Sequence, residues 1–155
     1  MSKQVLDTPQ VSDTPIGQGL LKVGREGIQT GNAAILRAYY AHDYVIHMPD
    51  GDLDYQALME FFSTIRDAWD DFVLTRAQIV VEGNLAGTRT IFSGVFTREM
   101  KGTPAGTVQP TGKPVKLEVI NTFRFHDDGT LAEEWVQYDS LGYYKQLGVS
   151  PLQLA

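Results

Sequence analysis

The sequence has 155 residues, of which 43% are hydrophobic and 21% charged, and it contains no cysteine. This length and balance are typical of one globular domain, and the lack of cysteine excludes a disulfide framework and thiol catalysis. The net charge of −6 argues against a nucleic-acid partner and against an anionic membrane surface, because both require a basic face.

The N-terminal segment has no features of export or membrane insertion. Met1–Pro15 mixes small polar residues with proline, which predicts a flexible leader followed by one domain over residues 16–155. The segment lacks the basic start and apolar stretch of a secretory signal, and no apolar run elsewhere is long enough for a transmembrane helix. We therefore expect a cytoplasmic protein.

The first half of the domain is predicted to be mainly helical. Ile16–Thr30 has apolar residues spaced for one helix face, although its glycines weaken this prediction. Asn32 is a good N-cap for a short helix over Ala33–Tyr40. Asp54 can cap the clearest helix, Tyr55–Trp69, whose apolar positions repeat at helical spacing.

The second half is predicted to consist of strands. Glu99–Lys113 is rich in glycine and proline, which indicates a long irregular loop, and Leu141–Leu147 is expected to close the chain as a short helix. Helices followed by antiparallel strands predict an α+β fold with the helices on one face of a curved sheet. The predicted strands are Tyr44–Met48, Phe72–Val81, Leu85–Arg98, Val115–Phe125 and Leu131–Tyr138.

The last two strands carry polar residues among apolar ones. Side chains alternate faces along a strand, so Asn121 interrupts an otherwise apolar face of Val115–Phe125. If Trp135 on the next strand points inward, several polar groups point inward with it, and a ligand pocket would accommodate them. In the alternative, the opposite face meets the core and Trp135 lies at the surface or in a dimer contact. The two faces of that strand are Glu133, Trp135, Gln137 and Asp139, and Glu134, Val136 and Tyr138.

Several short segments, taken in order, resemble the SnoaL-type polyketide cyclases of the nuclear-transport-factor-2-like superfamily. The resemblance covers about Leu20 to Val149 and implies a cone-shaped, curved, mostly antiparallel sheet with N-terminal helices over one face, a nuclear-transport-factor-2-like or cystatin-like fold. It also implies a homodimer. The segments are Tyr44-Val45-Ile46-His47-Met48-Pro49, Pro110–Val115, Phe123-Arg124-Phe125, Asp128-Gly129, Glu134-Trp135, Asp139, Leu141-Gly142 and Gln146-Leu147-Gly148.

Asp139 is the central catalytic candidate, because the resemblance places an acid/base aspartate near the end of the last strand. A carboxylate enclosed by aromatic residues loses solvation, which raises its pKa and suits it to proton transfer next to a carbonyl. Asp139 also directly precedes the predicted closing helix, where aspartate is a preferred N-cap. Both roles stay open.

The other candidates would surround the substrate. His47 is a second catalytic candidate that could supply a proton or a hydrogen bond near neutral pH, with a structural role as the alternative. Asn121 could hold a substrate oxygen, and Phe123 stands about where the resemblance leads us to expect a histidine. The remaining predicted substrate contacts are Trp135, Gln137 and Arg89.

Three functions remain open for a protein that binds an apolar small molecule. The first is a cofactor-independent cyclase or isomerase acting on a polyketide-like substrate. The second is water activation in the manner of the superfamily's epoxide hydrolases, which needs an arginine, such as Arg89, and a second carboxylate, such as Asp54 or Glu118. The third is a non-catalytic small-molecule or protein-binding module. The scattered histidines and missing cysteines suggest no metal site.

Overall fold

A curved, unclosed sheet of six strands forms the centre of the computed structural model, which describes residues 11–154. The strands of the chain are β1 (Tyr40–Met48), β2 (Gly51–Asp54), β3 (Trp69–Glu82), β4 (Leu85–Phe96), β5 (Met100–Thr103), β6 (Gly106–Val108), β7 (Pro114–Phe125) and β8 (Leu131–Tyr138). The sheet order is β2-β1-β8-β7-β4-β3, and β5 pairs with β6 as a separate hairpin. Neighbouring strands are antiparallel except β1 and β8, which are parallel.

The helices pack on the concave, inner face of this sheet. They are α1 (Pro15–Lys22), α2 (Ala33–Tyr39), α3 (Tyr55–Ala68) and α4 (Ser140–Gln146), with a π-helical turn at Val23–Ile28 and a 3₁₀ turn at Pro151–Gln153. The predicted α+β class and cone-shaped sheet are confirmed. Within residues 11–154, none of the helices combines the length and apolar character needed to cross a membrane.

Two predicted N-caps are present. The Asn32 side chain accepts a hydrogen bond from the backbone N–H of Ile35 at 3.2 Å, and the Asp54 side chain accepts one from Ala57 at 2.9 Å. These bonds satisfy backbone donors that the first helical turn leaves free. Helix α3 then buries one apolar stripe against the sheet, consisting of Leu58, Phe62, Ile65 and Ala68.

Glycine has a low helix propensity, but in this segment it lets neighbouring side chains pack close to the backbone. The helix begins at Pro15 with Thr14 as its N-cap, so it starts one residue earlier than predicted, while most of the predicted leader lies outside the described residues. The chain continues into a π-helical turn beside β3. A Cβ added at Gly24 would lie 2.7 Å from Cδ2 of Leu74, so a larger residue there would require the Leu74 side chain to move.

The register of β7 and β8 decides which side chains face the interior. Asn121 pairs with Val136, and Phe123 pairs with Glu134. Directly paired residues share a face, so Glu134 lies with the buried side chains of β7 and Trp135 points outward, 40% exposed. The alternative in which Trp135 lies at the surface is therefore correct.

The strands between the helices were predicted incompletely. Strand β1 starts at Tyr40 and not at Tyr44, and the short strand β2 was not among the predicted strands. The glycine-rich Glu99–Lys113 segment contains the short β5–β6 hairpin in place of a wholly irregular loop. Strand β5 of this hairpin packs against α3.

Candidate active site

A buried carboxyl lies on the inner face of the sheet. Glu134, on β8, is only 6% exposed. The hydroxyl of Tyr44 donates a hydrogen bond to its Oε2 at 2.8 Å, and the side-chain amide of Asn121 donates one to its Oε1 at 2.7 Å. Both carboxyl oxygens therefore have a donor, an arrangement that a buried carboxylate requires.

Hydroxyl groups on β4 orient the amide of Asn121. Thr90 and Thr88 both donate to Asn121 Oδ1, at 2.8 Å and 3.1 Å. Because the amide oxygen accepts these two bonds, its nitrogen faces Glu134. Thr90 in turn accepts a bond from Nη1 of Arg76 at 2.6 Å. A continuous hydrogen-bonded chain thus runs from Arg76 through Thr90 and Asn121 to Glu134, and we call it the inner polar network.

The electrostatics of the inner polar network favour a proton-exchanging carboxyl. Burial raises the pKa of Glu134, against the opposing effects of the Arg76 charge and of the bonds from Tyr44 and Asn121. Burial, followed by the nearby Glu134 charge, holds the pKa of Tyr44 well above its ordinary value. Burial therefore keeps Tyr44 a donor and opposes the ionisation of Glu134.

Glu134 and Asn121 face a narrow apolar cavity. Its walls include Phe61, Phe92 and Tyr138, and it leaves about 30 Å³ for the centres of water-sized molecules. One water needs about 10–15 Å³ of such volume, so the cavity has room for about two waters. The cavity is therefore nearly filled by the protein's own side chains.

Two of the predicted site residues belong to this region. Asn121 is buried and binds Glu134 directly. Phe123 is buried on the same strand, and the guanidinium of Arg76 lies 5.3 Å from the centroid of its ring. Phe123 thus supports the charged end of the inner polar network by a cation–π contact.

The expected position of Asp139 inside the pocket is wrong. Asp139 is exposed and caps α4, accepting a hydrogen bond from the backbone N–H of Gly142 at 2.8 Å. Asp139 directly follows the last residue of β8, and it does not line the inner cavity. The capping role weighed for this residue is confirmed.

His47 also lies on the outer face. Its Nδ1 and Nε2 each lie 2.8 Å from a carboxylate oxygen, of Asp52 and of Glu133 respectively, and its ring stacks on Trp135. These two hydrogen bonds, with Glu133 the stronger influence, raise the pKa of His47. Two acceptors require both ring nitrogens to carry a proton, which favours the imidazolium form.

The remaining predicted contacts are likewise on the outside of the sheet. Gln137 is exposed. Arg89 forms an ion pair with Glu118 at 3.2 Å and a hydrogen bond with Gln78 at 3.1 Å. Together with Trp135, these residues face away from Glu134 and lie outside the lining of the inner cavity.

Sequence reasoning missed most of the inner polar network. Glu134 was considered only as part of the alternative face of β8, although its parity with Val136 was the available signal. Thr88 lies on the face of β4 that also carries Ala86 and Phe92, so its parity with these apolar residues was a similar signal. Arg76 could not be found by alternation alone, because β3 has a register shift between Arg76 and Gln78.

The described residues offer little to hold a metal ion. Within residues 11–154, no group of three or more His, Cys, Asp or Glu side chains has the geometry of a metal site. The inner polar network instead combines a carboxyl, an amide, hydroxyls and a guanidinium, which can move a proton and stabilise a negative oxygen.

Comparisons with known proteins identify the fold and a family. A family model described as SnoaL-like polyketide cyclase matches residues 20–147. IdmH, a proposed polyketide cyclase from Streptomyces antibioticus, is 25% identical with a TM-score of 0.71, covering 88% of this chain and 100% of its own. A comparison with curated proteins finds no match.

Two further solved structures share the architecture. AclR, a proposed hydroxylase from Streptomyces galilaeus, has a TM-score of 0.74 at 20% identity and covers 90% of this chain and 100% of its own. A proposed polyketide cyclase from Acidithiobacillus ferrooxidans has a TM-score of 0.73 at 23% identity, covering 90% of this chain and 98% of its own. At these identities the likeness concerns the fold alone.

Proposed function

The chain belongs to the SnoaL-like polyketide cyclase family, and from this premise we propose that it is a cofactor-independent enzyme of the cyclase or isomerase kind. Its substrate would be an apolar, oxygenated small molecule resembling a polyketide. The observation that carries the proposal is Glu134, a buried carboxyl with a raised pKa at the end of an apolar cavity. Such a group is suited to general acid/base work near neutral pH.

Glu134 would act first as the base. Its carboxylate takes a proton from a carbon next to a substrate carbonyl, and the electrons of the broken C–H bond form an enolate. The side-chain amide of Asn121, which lines the cavity, can then donate its second hydrogen to the enolate oxygen. Glu134 finally returns the proton to another carbon or oxygen. Asn121 keeps the carboxyl in place throughout.

The experiment compares two acidic residues with the same assay. Proton abstraction next to a carbonyl exchanges that proton with solvent, so 2-tetralone in D₂O, followed by NMR, reports the base without knowledge of the natural substrate. We expect Glu134→Gln to lower the exchange rate by about 10²- to 10⁴-fold. Asp139→Asn is the matched control and should retain the rate. Loss in Asp139→Asn with retention in Glu134→Gln would restore Asp139 as the base.

The water-activating alternative receives less support. It needs two carboxylates beside an arginine, and the arginine proposed for it, Arg89, lies on the outer face. Arg76 is near the buried carboxyl, but among residues 11–154 Glu134 is the sole buried acid. A single carboxyl favours proton transfer over the two-carboxylate arrangement.

A non-catalytic binding module is the second candidate, and one observation favours it. The inner cavity holds only about 30 Å³ for water-sized centres, so a ring system does not fit without rearrangement. A protein that binds ligands without turning them over would show stabilisation by bicyclic ketones in a thermal-shift assay, with no exchange above background in the wild type.

We further propose that the chain forms a homodimer through the outer face of the sheet. Trp135, Ile120, Leu85 and Val80 form an exposed apolar patch there, with exposures between 40% and 72%. The strand register places these residues on neighbouring strands of one face. An exposed apolar patch of this kind supports an interface between two copies.

A further inference from the structure

A surface groove lies beside the inner cavity. It is formed between α3, the β5–β6 hairpin and α4, and its volume is about 290 Å³, roughly ten times that of the inner cavity by the same measure. Its floor is apolar, with Ile65 and Met100, and its rim is polar, with Thr64, Lys101 and Thr103. An apolar floor with a polar rim fits a flat ring system that carries oxygen substituents at its edge.

A thin wall of aromatic rings separates the groove from the inner cavity. Phe61 lines both spaces. On the opposite side, Tyr138 lines the inner cavity and Tyr143 lines the groove, and their rings meet edge to face with centroids 6.4 Å apart. Tyr143 is 4% exposed, whereas Phe61 and Tyr138 are half-buried, and of these two only Phe61 lines both spaces, so Phe61 combines room to move with contact to the groove and to the inner cavity.

We propose that Phe61 is a gate: its ring swings aside to join groove and inner cavity, so that one ring of a ligand reaches Glu134 while the rest stays in the groove. An aromatic side chain on a helix has two common χ1 rotamers, which gives Phe61 a closed and an open position. The gate explains how a ring could reach Glu134 although the inner cavity beside Glu134 is too small for a ring in this structure. It rests on the proposed function in placing the reacting ring at Glu134.

Polar residues at both ends define the ligand class that the joined groove and inner cavity, here called the channel, would accept. At the inner end, the side-chain amide of Asn121 can donate a hydrogen bond to a carbonyl oxygen, and the carboxylate of Glu134 can accept one from a hydroxyl group. At the outer end, Lys101 and Thr103 sit at the rim of the groove. The channel therefore fits a flat, fused-ring molecule with oxygen at both ends and an apolar body between them.

The gate is tested by binding, with 2-naphthol as the probe. Ligand affinity falls in proportion to the fraction of molecules in the open state, so removing the ring of Phe61 should strengthen binding. We expect Phe61→Ala to bind 2-naphthol about 10-fold more tightly than the wild type, as for a gate open about a tenth of the time. Phe61→Leu should show a smaller gain, and it replaces Phe61→Ala if the latter fails to fold.

Phe72→Ala is the matched control, since Phe72 is also a half-buried phenylalanine but lines neither space. Its affinity for 2-naphthol should equal that of the wild type. In Phe61→Ala, the side-chain amide signal of Asn121 should shift during an NMR titration, because the probe reaches the inner cavity.

Unchanged or weaker binding in Phe61→Ala would overturn the gate, since a ligand confined to the groove loses contact area when the ring is removed. An equal gain in Phe72→Ala, or an Asn121 amide that does not shift, would overturn it too. Failure of the gate differs from failure of the proposed function, because binding of 2-naphthol does not depend on proton abstraction by Glu134.

Discussion

Replacing Thr90 by valine is the sharpest probe of the inner polar network. Thr90 is fully buried, and valine has nearly the same shape, so the change removes the hydroxyl without leaving a cavity. The Thr90 hydroxyl accepts a bond from Arg76 Nη1, donates one to Asn121 Oδ1 and lies 3.1 Å from Oγ1 of Thr88, and all three contacts disappear with it. Arg76 Nε already has no hydrogen-bond partner among the described residues, so the change leaves a second nitrogen of this buried guanidinium without the partner it has in the wild type.

The size of the effect follows from the kinds of bond that are lost. A bond from a charged donor contributes about 1.5–3 kcal/mol and a neutral one about 0.5–1.5 kcal/mol, so Thr90→Val should cost about 3 kcal/mol in the free energy of unfolding. Thr88→Val is the matched control. It removes a neutral bond at 3.1 Å from an Asn121 oxygen that still has Thr90, and should cost about 1 kcal/mol.

Urea unfolding, followed by circular dichroism, measures both free energies on the same scale. The two variants should differ by about 2 kcal/mol, with unchanged dependence on urea concentration. Equal losses in the two variants, or a Thr90→Val protein as stable as the wild type, would show that Arg76 is not held through Thr90. The hydrogen-bonded chain to Glu134 would then be incorrect.

The outer face of the sheet gives two further predictions. The raised pKa of His47 means that its pairing with Glu133 and Asp52 is fully present below about pH 6.5 and is lost as the pH rises through the raised value. The difference in melting temperature between the wild type and His47→Gln should therefore shrink between pH 5.5 and 9, and a constant difference would contradict the imidazolium assignment. Trp135→Asp should convert a dimer into a monomer in light scattering, whereas Leu141→Asp, which changes an exposed leucine outside the apolar patch, should not. A monomeric wild type would end the dimer proposal.

Local patterns were sufficient for much of the fold. The bounds of β8 follow from its composition alone, and the N-caps at Asn32 and Asp54 were predicted because capping depends on neighbours within one helical turn. The β5–β6 hairpin was missed because its strands are only four and three residues long, too short for an alternation pattern.

The candidate site could not be predicted in the same way, because it depends on strand pairing. Each face of β8 contains both apolar and charged residues, so periodicity does not distinguish Trp135 from Glu134 as the inward residue. Only the register of the hairpin formed by β7 and β8, which pairs Phe123 with Glu134, decides it. Asp139 lies at the surface as the N-cap of α4, the role that its position before the closing helix had also predicted.

The most direct test of the account is a pH titration of two adjacent glutamates. Carbon-13 NMR of the side-chain carboxyl groups follows both in one sample, with Glu134→Gln used for assignment. Glu134 should titrate above the ordinary glutamate pKa of about 4.3, because it is buried.

Glu133, on the outer face, should titrate below that value because of its bonds to His47 and Arg124. Opposite shifts for neighbouring residues would place one carboxyl inside the cone and the other outside it. A Glu134 that titrates at or below about 4.3, together with Glu133, would contradict a buried proton-transferring carboxyl.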